Sequence, residues 1–519
     1  MAASLGRFAL TCVSAWLFVL SFPPHRVHLL GWIALVPLLL ALRTSRLGGA
    51  VALATLWGML SAYGVTDWLP PAVASYYHQP LWLGAILFAS AAFLMGAVEY
   101  AAFGAYYWWA ARRSTVLLPM LSAAAWSAAE LGRGRLFTGN PWGLLGYTQS
   151  GIDAGGGFAA GALPHLVVQV ADWTGVYGVS FVLVAVNTVV AETVYGLRVH
   201  GLGRGDVARW LLVVLLLAAT LAHGVESTRR TAAHETTMAR VAVAQGNLDL
   251  GSQWRSEFYG ANLDVYLELT RAALHTAPAV MFWPENAITF FVDAEPEYRT
   301  AIASVIGQRD VELVAGAPRF EAPDAPVYFN SAFLLSPRGA VMARYDKEHL
   351  LPFAEYFPFA SSELLRRSFA RVREFSAGRD HAALPTRIGR AAITICNEAM
   401  FPEIVTARVR EGVDYVVNLT NDTWIQSAEF AEHQLAIVAM RAVEHRTFLV
   451  RASTSGPSAI VDPTGIVVAR TATGSSGILA GSIEPRRNLT PYARHGDWLP
   501  WSGLLLVTVS CVVWRRAGH

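Results

Sequence analysis

Arg344-Tyr345-Asp346-Lys347-Glu348-His349-Leu350-Leu351-Pro352-Phe353-Ala354-Glu355-Tyr356-Phe357-Pro358 holds the only lysine of this 519-residue chain. Of its 40 Lys and Arg side chains, every other one is arginine. Arginine stays protonated and presents a planar fork, whereas lysine is a compact point charge whose pKa moves when buried. A lysine kept against such a bias points to an amine that does chemistry; the plainer alternative is one solvated surface residue. Two further segments frame it. Val280-Met-Phe-Trp-Pro-Glu285-Asn286 is an apolar, strand-like run that delivers a carboxylate, and Ala392-Ile-Thr-Ile-Cys396-Asn397-Glu398 is a β-branched run that ends on a thiol. Both predict buried strands with one reactive side chain at the C-terminal tip, where open α/β layers place chemistry.

Outside these segments the chain is not that of an ordinary soluble protein, with 54% hydrophobic residues and a mean hydropathy of +0.37. Apolar blocks long enough for bilayer-crossing helices, allowing for tilt, recur along the first 225 residues. They predict spans near Phe8–Phe22, Val27–Leu42, Gly48–Trp68, Leu81–Tyr107, Val116–Leu131, Val167–Val194 and Trp210–Ala222, with an eighth near Trp498–Trp514. The first block lacks a small-residue cleavage site and runs at once into Pro23-Pro24 and a second block, so an uncleaved helix is expected.

Arginine placement orients the bundle, because positive residues are retained on the cytoplasmic side. With the N-terminus inside, Arg7, Arg43, Arg46, Arg112, Arg113, Arg198, Arg204, Arg209, Arg515 and Arg516 fall inside, against Arg26, Arg133 and Arg135 outside. Both termini are therefore expected in the cytoplasm, and the segment between the seventh and eighth spans on the outer face. The expected organisation is a bundle over residues 1–224, a polar linker over 225–239, a globular domain over 240–485 and a closing span within 497–519. Cys12 and Cys511 fall in spans, which leaves Cys396 the single thiol of the outer domain and rules out a disulfide within it. A net charge of +2 and the lack of a basic stripe exclude nucleic-acid binding. His433 and His445 are twelve residues apart and no H-E-x-x-H or paired-cysteine motif occurs, so neither a metal nor another cofactor is expected.

Within the globular domain, strands are predicted at Arg240–Gln245, Ala279–Trp283, Val311–Ala317, Val327–Leu335, Ala340–Tyr345, Ala391–Cys396, Tyr415–Leu419, Phe448–Ala452 and Ser458–Val461. Helices are predicted at Ser256–His275, Glu297–Gln308, Phe401–Glu411 and Ala428–His445. Ser336-Pro-Arg-Gly339 and Asp462-Pro-Thr-Gly465 mark hairpin turns. Alternating strands and helices over this length fit a layered α/β sandwich.

Glu285, Lys347 and Cys396, in this order and these contexts, resemble the catalytic triad of the nitrilase superfamily. Together with the spans, the chain resembles the bacterial apolipoprotein N-acyltransferase family over nearly its whole length. The resemblance implies a four-layer αββα sandwich inserted in a membrane bundle of about eight spans. It implies an acyltransferase in which Cys396 is the nucleophile, Glu285 the general base, and Lys347 with the Asn397 backbone N–H the oxyanion donors. Glu355 would take an accessory role, orienting the lysine or carrying a second proton, and Glu398 would be a supporting acid. The family frequently has an aromatic residue where this chain has Asn397, so only the backbone role carries over there.

Gln245-Gly-Asn247 followed by Trp254 resembles the start of the family's catalytic domain, with Trp254 a pocket residue or a core tryptophan. Asn418-Leu-Thr-Asn421-Asp422-Thr-Trp424 resembles the loop that walls the superfamily's pocket. Glu130-Leu-Gly-Arg133 and Gly139-Asn140-Pro141-Trp142-Gly143 match a family stretch, with Arg133 either a lipid-phosphate ligand or one more interfacial arginine. The aromatic side chains Phe353, Tyr356, Phe357 and Phe359 are expected to dip into the membrane interface. Tyr492-Ala-Arg-His-Gly-Asp497 is expected to seat the domain on the membrane. The partners implied are a phospholipid acyl donor and a diacylglyceryl lipoprotein acceptor, at the bacterial inner membrane with the catalytic domain outside, acting as a monomer. The triad alone equally fits a membrane-tethered nitrilase-type amidase or lipid hydrolase, with water as acceptor.

Overall fold

The computed structural model describes residues 2–113, 115–154, 158–233, 237–248, 256–322, 325–357, 374–425 and 427–517. Trp254 and Phe359 lie outside the described residues.

Among the described residues, six helices are long and apolar enough to cross a membrane: Ala3–Leu20, Leu47–Thr66, Leu81–Ala111, Val176–Val199, Arg204–Ala232 and Trp498–Arg515. Eight were expected, and the two shortfalls have local causes. The second block breaks into a 3-10 turn, His28–Trp32, and a short helix, Val36–Arg43, that starts again on Pro37. Leu118–Arg135 forms a full helix, but Glu130, Arg133 and Arg135 make its C-terminal end polar. The expected span Val167–Val194 is also two pieces, since Gly175 adopts a left-handed φ of 66° before Val176–Val199 begins. The expected linker is helical at its start, because Arg204–Ala232 continues through residues assigned to it. The closing helix Trp498–Ala517 returns to the bundle with Gly503 against Ala124, where an added Cβ would lie 2.8 Å from a backbone oxygen.

The globular domain carries two sheets. The six-stranded sheet runs Gly477–Ile483, Ala239–Gln245, Val280–Trp283, Glu312–Ala322, Ala325–Leu335, Val341–Asp346. The seven-stranded sheet runs Ile152–Asp153, Ile466–Arg470, Ala459–Val461, Leu449–Ser453, Tyr415–Thr420, Gly389–Ile395, Leu384–Thr386. Strands covered on both faces should be apolar on both, and Ala239–Gln245 shows it. Val241 and Val243 enter the core between the sheets with Ile393, Val417 and Val450, while Ala242 and Ala244 pack under the helix Tyr259–Ala273. On the other side, Val405, Leu435 and Val438 of the helices Pro402–Arg410 and Ala428–His445 cover the seven-stranded sheet. The layers are therefore αββα.

One strand of the seven comes from the bundle: Ile152–Asp153, in the loop after Leu118–Arg135, pairs parallel with Ile466–Arg470. The helix Ala428–His445 has its second face against the bundle. Phe430 stacks on Trp142 at 5.2 Å, Ser150 Oγ donates to the Ala436 carbonyl, and Arg441 donates to the Tyr147 hydroxyl. Arg446 donates to Asp172, and Arg135 pairs with Asp497 next to the closing helix. The Tyr492–Asp497 segment does seat the domain on the bundle. Phe357 packs against Val73, Tyr76, Leu83 and Leu87 of the bundle, and Phe353 meets Phe357 edge-on with ring centroids 5.9 Å apart.

Candidate active site

The strand Val280–Trp283 ends at Pro284, and Glu285 follows inside the domain, 5% exposed. Its close neighbour Gly316 is required: a Cβ there would sit 2.6 Å from the Glu285 Cα. Glu285 Oε1 accepts from Asn330 Nδ2 at 2.7 Å and Oε2 from the Asn421 backbone N–H at 2.8 Å. Burial raises its pKa, Lys347 opposes this and Glu355 adds to it, with the net result about 7.

Lys347 follows the strand Val341–Asp346 and is 1% exposed. Its backbone is pinned at both ends, donating to the Asn330 carbonyl and accepting from the Gly378 N–H. Its Nζ donates to Glu355 Oε2 at 2.7 Å. Burial works against the ammonium, but Glu355, the Cys396 sulfur and Glu285 outweigh it and hold the pKa above the ordinary lysine value. Glu355 also accepts from the Leu351 N–H at 2.7 Å and from Asn330 Nδ2 at 2.8 Å. That placement fits the expected orienting role, and Asn330 bridges the two carboxylates.

Cys396 leaves the strand Gly389–Ile395 with φ 54°, in the left-handed region that a non-glycine residue rarely adopts, and opens the 3-10 turn Cys396–Met400. The thiol is 7% exposed. Burial pushes its pKa well up, Glu285 adds to this and Lys347 opposes it, so the resting sulfur carries its proton. Glu285, Lys347 and Cys396 lie close enough to act on one another's charge.

Glu398, expected as a supporting acid, lies fully buried in a hydrogen-bond network. It accepts from the Tyr345 hydroxyl, from the backbone N–H groups of Ile395, Glu348 and His349, and from Arg408 at 3.1 Å. Burial would raise its pKa, but Arg408, Lys347 and these N–H donors hold it below the usual carboxylate value. Its effect is to tie the lysine segment to the nucleophile turn. Arg133, expected either as a lipid-phosphate ligand or as an interfacial arginine, is buried, and its guanidinium donates to the Tyr100 hydroxyl and to the backbone carbonyls of Trp142, Gly143 and Met95.

Cys396 and Asn397 line a cavity of 210 Å³ between the domain and the bundle. Trp424, Met400 and Phe401 wall it from the domain side, and Trp142, Trp68 and Met95 from the bundle side. Trp142 and Trp424, two of the three tryptophans considered for substrate binding, line it; the third, Trp254, lies outside the described residues. Met95 reaches the wall where a π-turn, Phe93–Ala97, interrupts the long helix Leu81–Ala111. Among the described residues, no cluster of three or more His, Cys, Asp or Glu side chains could hold a metal ion.

With this geometry in hand, similarity to known proteins is informative. Residues 14–189 match the family model described as apolipoprotein N-acyltransferase N-terminal domain, and residues 240–490 match the carbon-nitrogen hydrolase model. The apolipoprotein N-acyltransferase of Geobacter metallireducens is 33% identical over 513 residues, 98% of this chain and 95% of the relative. The chain belongs to the apolipoprotein N-acyltransferase family. The Pseudomonas aeruginosa protein of the same name is 28% identical over 475 residues, 89% of this chain and 86% of its own length. Among solved structures, the C. elegans NitFhit protein superposes with a TM-score of 0.40 at 20% identity, over 48% of this chain and 62% of its own. An amidase of the nitrilase superfamily from Nesterenkonia gives 0.38 at 19%, over 51% and 94%.

Sequence reasoning missed Asn330, and a signal for it existed. In the strand Ala325–Leu335, Asn330 shares its face with Ala332 and Leu334, which point into the core between the sheets. An amide on that face needs polar partners. Asn421 was noted only as part of a pocket loop, but its backbone N–H donates to Glu285.

Proposed function

We propose that this multi-pass membrane protein transfers an acyl chain from a phospholipid, through a thioester on Cys396, to the N-terminal amine of a diacylglyceryl-cysteine lipoprotein. The observation that carries the reading is the cavity. The Cys396 sulfur opens onto an apolar space walled jointly by the catalytic domain and by membrane helices, a position suited to an acyl ester held in the outer leaflet.

The chemistry divides one difficult step into two. Glu285, as carboxylate, takes the Sγ proton while the sulfur attacks the ester carbonyl carbon. The resulting oxyanion is met by the Lys347 ammonium and the Asn397 backbone N–H, where one such donor is worth about 3–4 kcal/mol of barrier. The C–O bond breaks and Glu285 returns the proton to the departing glycerol oxygen, leaving thioester and lysophospholipid. The acceptor's amine nitrogen then attacks the thioester carbonyl and gives its proton to Glu285. The C–S bond breaks, and Glu285 reprotonates the sulfur. Glu355 holds the lysine throughout. The tight apolar wall of Trp142, Trp424 and Phe401 disfavours water as the second nucleophile.

The distribution of arginines supports an orientation with both termini cytoplasmic and the domain on the outer face. Incubating the protein with acyl-labelled phospholipid, with and without a diacylglyceryl peptide, tests the reading. Label should move to the peptide amine, with little free fatty acid. Acceptor-independent release of fatty acid would instead favour a lipid hydrolase.

A further inference from the structure

A second, polar groove lies beside the apolar cavity, with a single loop between them. Asp422 and Thr423 line the groove, of 310 Å³, while the next two residues, Trp424 and Ile425, line the cavity that holds Cys396. The remaining groove wall is small and neutral: Asn247, Ser427, Ala428, Ala431, Ser455, Gly456, Thr473 and Gly474. Its one charged side chain, Asp422, is already satisfied by Arg451 Nη2 and Ser453 Oγ, each at 2.7 Å, and by Thr420 Oγ1 at 2.9 Å. The groove therefore offers neutral hydrogen-bonding partners and no free charge.

The floor of this groove is wired to the chemistry. Thr423 donates through its N–H and its hydroxyl to Asn421 Oδ1, and the Asn421 N–H holds the base Glu285. From Asp422, the line runs through Arg451 to Asn418, whose amide donates to the Cys396 carbonyl.

The proposed acceptor is amphiphilic about a single residue. Its modified cysteine carries a diacylglyceryl arm on sulfur, the reacting amine, and a polypeptide leading away. Drawing that polypeptide into the apolar cavity would leave buried N–H and C=O groups unpaired, at about 1–3 kcal/mol each. We propose that the polar groove receives the first residues of the acceptor polypeptide after the modified cysteine, so that this cysteine straddles the Asp422–Ile425 partition with its amine at the thioester. This rests on the acyl-transfer reading above. A pocket of this volume is at the small end of ligand sites, and an extended chain advances about 3.3 Å per residue, so about two or three small, neutral residues fit.

The test separates the two claims. The protein is first loaded with phospholipid, and intact mass reports acyl-Cys396. Discharge is then followed with a diacylglyceryl-cysteinamide and with the same acceptor extended by one to five small neutral residues. KM should fall about ten-fold or more over the first two or three added residues and then level off. Thr473→Trp and Ala428→Trp, at two exposed lining positions, should raise KM for the extended acceptors to the level of the cysteinamide while the cysteinamide itself discharges as in the parent. A KM independent of peptide length in the parent protein would overturn the groove assignment, as would tryptophan variants that slow both acceptors equally. Failure to form the thioester at all would instead sink the underlying reading. The length series needs no variant, so it decides even if both tryptophans prevent folding.

Discussion

Lys347 shows how far one residue can carry an argument and where it stops. Its isolation among arginines marked it, but nothing local announced that Glu355 would neutralise it at 2.7 Å or that Asn330 would bridge Glu355 to Glu285. Lys347→Arg keeps the charge, and a plain surface pair would survive it within about 1 kcal/mol. Here the larger planar group has no room at a buried point contact, so acyl-enzyme formation should fall by orders of magnitude while the protein remains folded. Near-normal rates would return Lys347 to an ordinary ion pair. The base makes a second prediction. With Glu285 near 7 and the carboxylate the active form, thioester formation should climb as pH rises through about 7. The Asn330 hydrogen bond favours the carboxylate, so Asn330→Ala should shift that midpoint upward and lower the plateau about ten-fold or more. An unmoved midpoint in stopped-flow or quenched mass measurements would show that Asn330 serves packing alone.

At the level of elements, Val280–Trp283 and Gly389–Ile395 were legible because apolar runs buried on both faces leave a plain pattern, and the half-exposed Val341–Asp346 from the hairpin turn before it. Ala428–His445 was read to the residue, with Ser427 capping it through a bond to the Phe430 N–H. Of the missed strands, Ile466–Arg470 carried an Ile-Val-Val run, but two others had no such pattern. Gly477–Ile483 is rich in small residues, and Gly481 is needed because Ile460 Cδ1 would lie 2.4 Å from an added Cβ. Ile152–Asp153 is two residues that pair only because a distant strand is waiting for them. The setting of Glu398 was hidden for a related reason: its partners come from the turn itself, from the lysine segment and from the helix Pro402–Arg410, and only the first is local. Glu398→Gln would leave Arg408 buried with much of its counter-charge gone, a loss on the order of 3–5 kcal/mol. It should lower the thermal unfolding midpoint in detergent, together with activity. Full stability in this variant would restore a chemical role for the acid.

Taken as a whole, the molecule is a soluble-type sandwich made continuous with a bundle. The bundle lends a strand to the sheet, buries the second face of Ala428–His445 and supplies half of the cavity wall. Beyond Trp142 and the Tyr492–Asp497 segment, little of this joint was legible, because its contacts link residues hundreds of positions apart, such as Arg446 with Asp172 and Arg441 with Tyr147. The membrane assignment was legible from apolar length alone, and the count fell short where Pro37 and the polar end of Leu118–Arg135 intervene. The arginine asymmetry predicts the side on which the sandwich stands. In a background without Cys12 and Cys511, a cysteine placed at Met342, exposed on the domain, should react with a membrane-impermeant maleimide in intact cells. One placed at exposed Leu202 should react only after permeabilisation, and the reverse pattern would invert the orientation.

The most direct measurement is the intact mass of the purified protein after exposure to phospholipid. The account predicts one added acyl chain, located on Cys396, absent from Cys396→Ala, stable in water and discharged by a diacylglyceryl peptide. An unmodified mass, an adduct that persists in Cys396→Ala, or a thioester that empties equally fast without the peptide would contradict it.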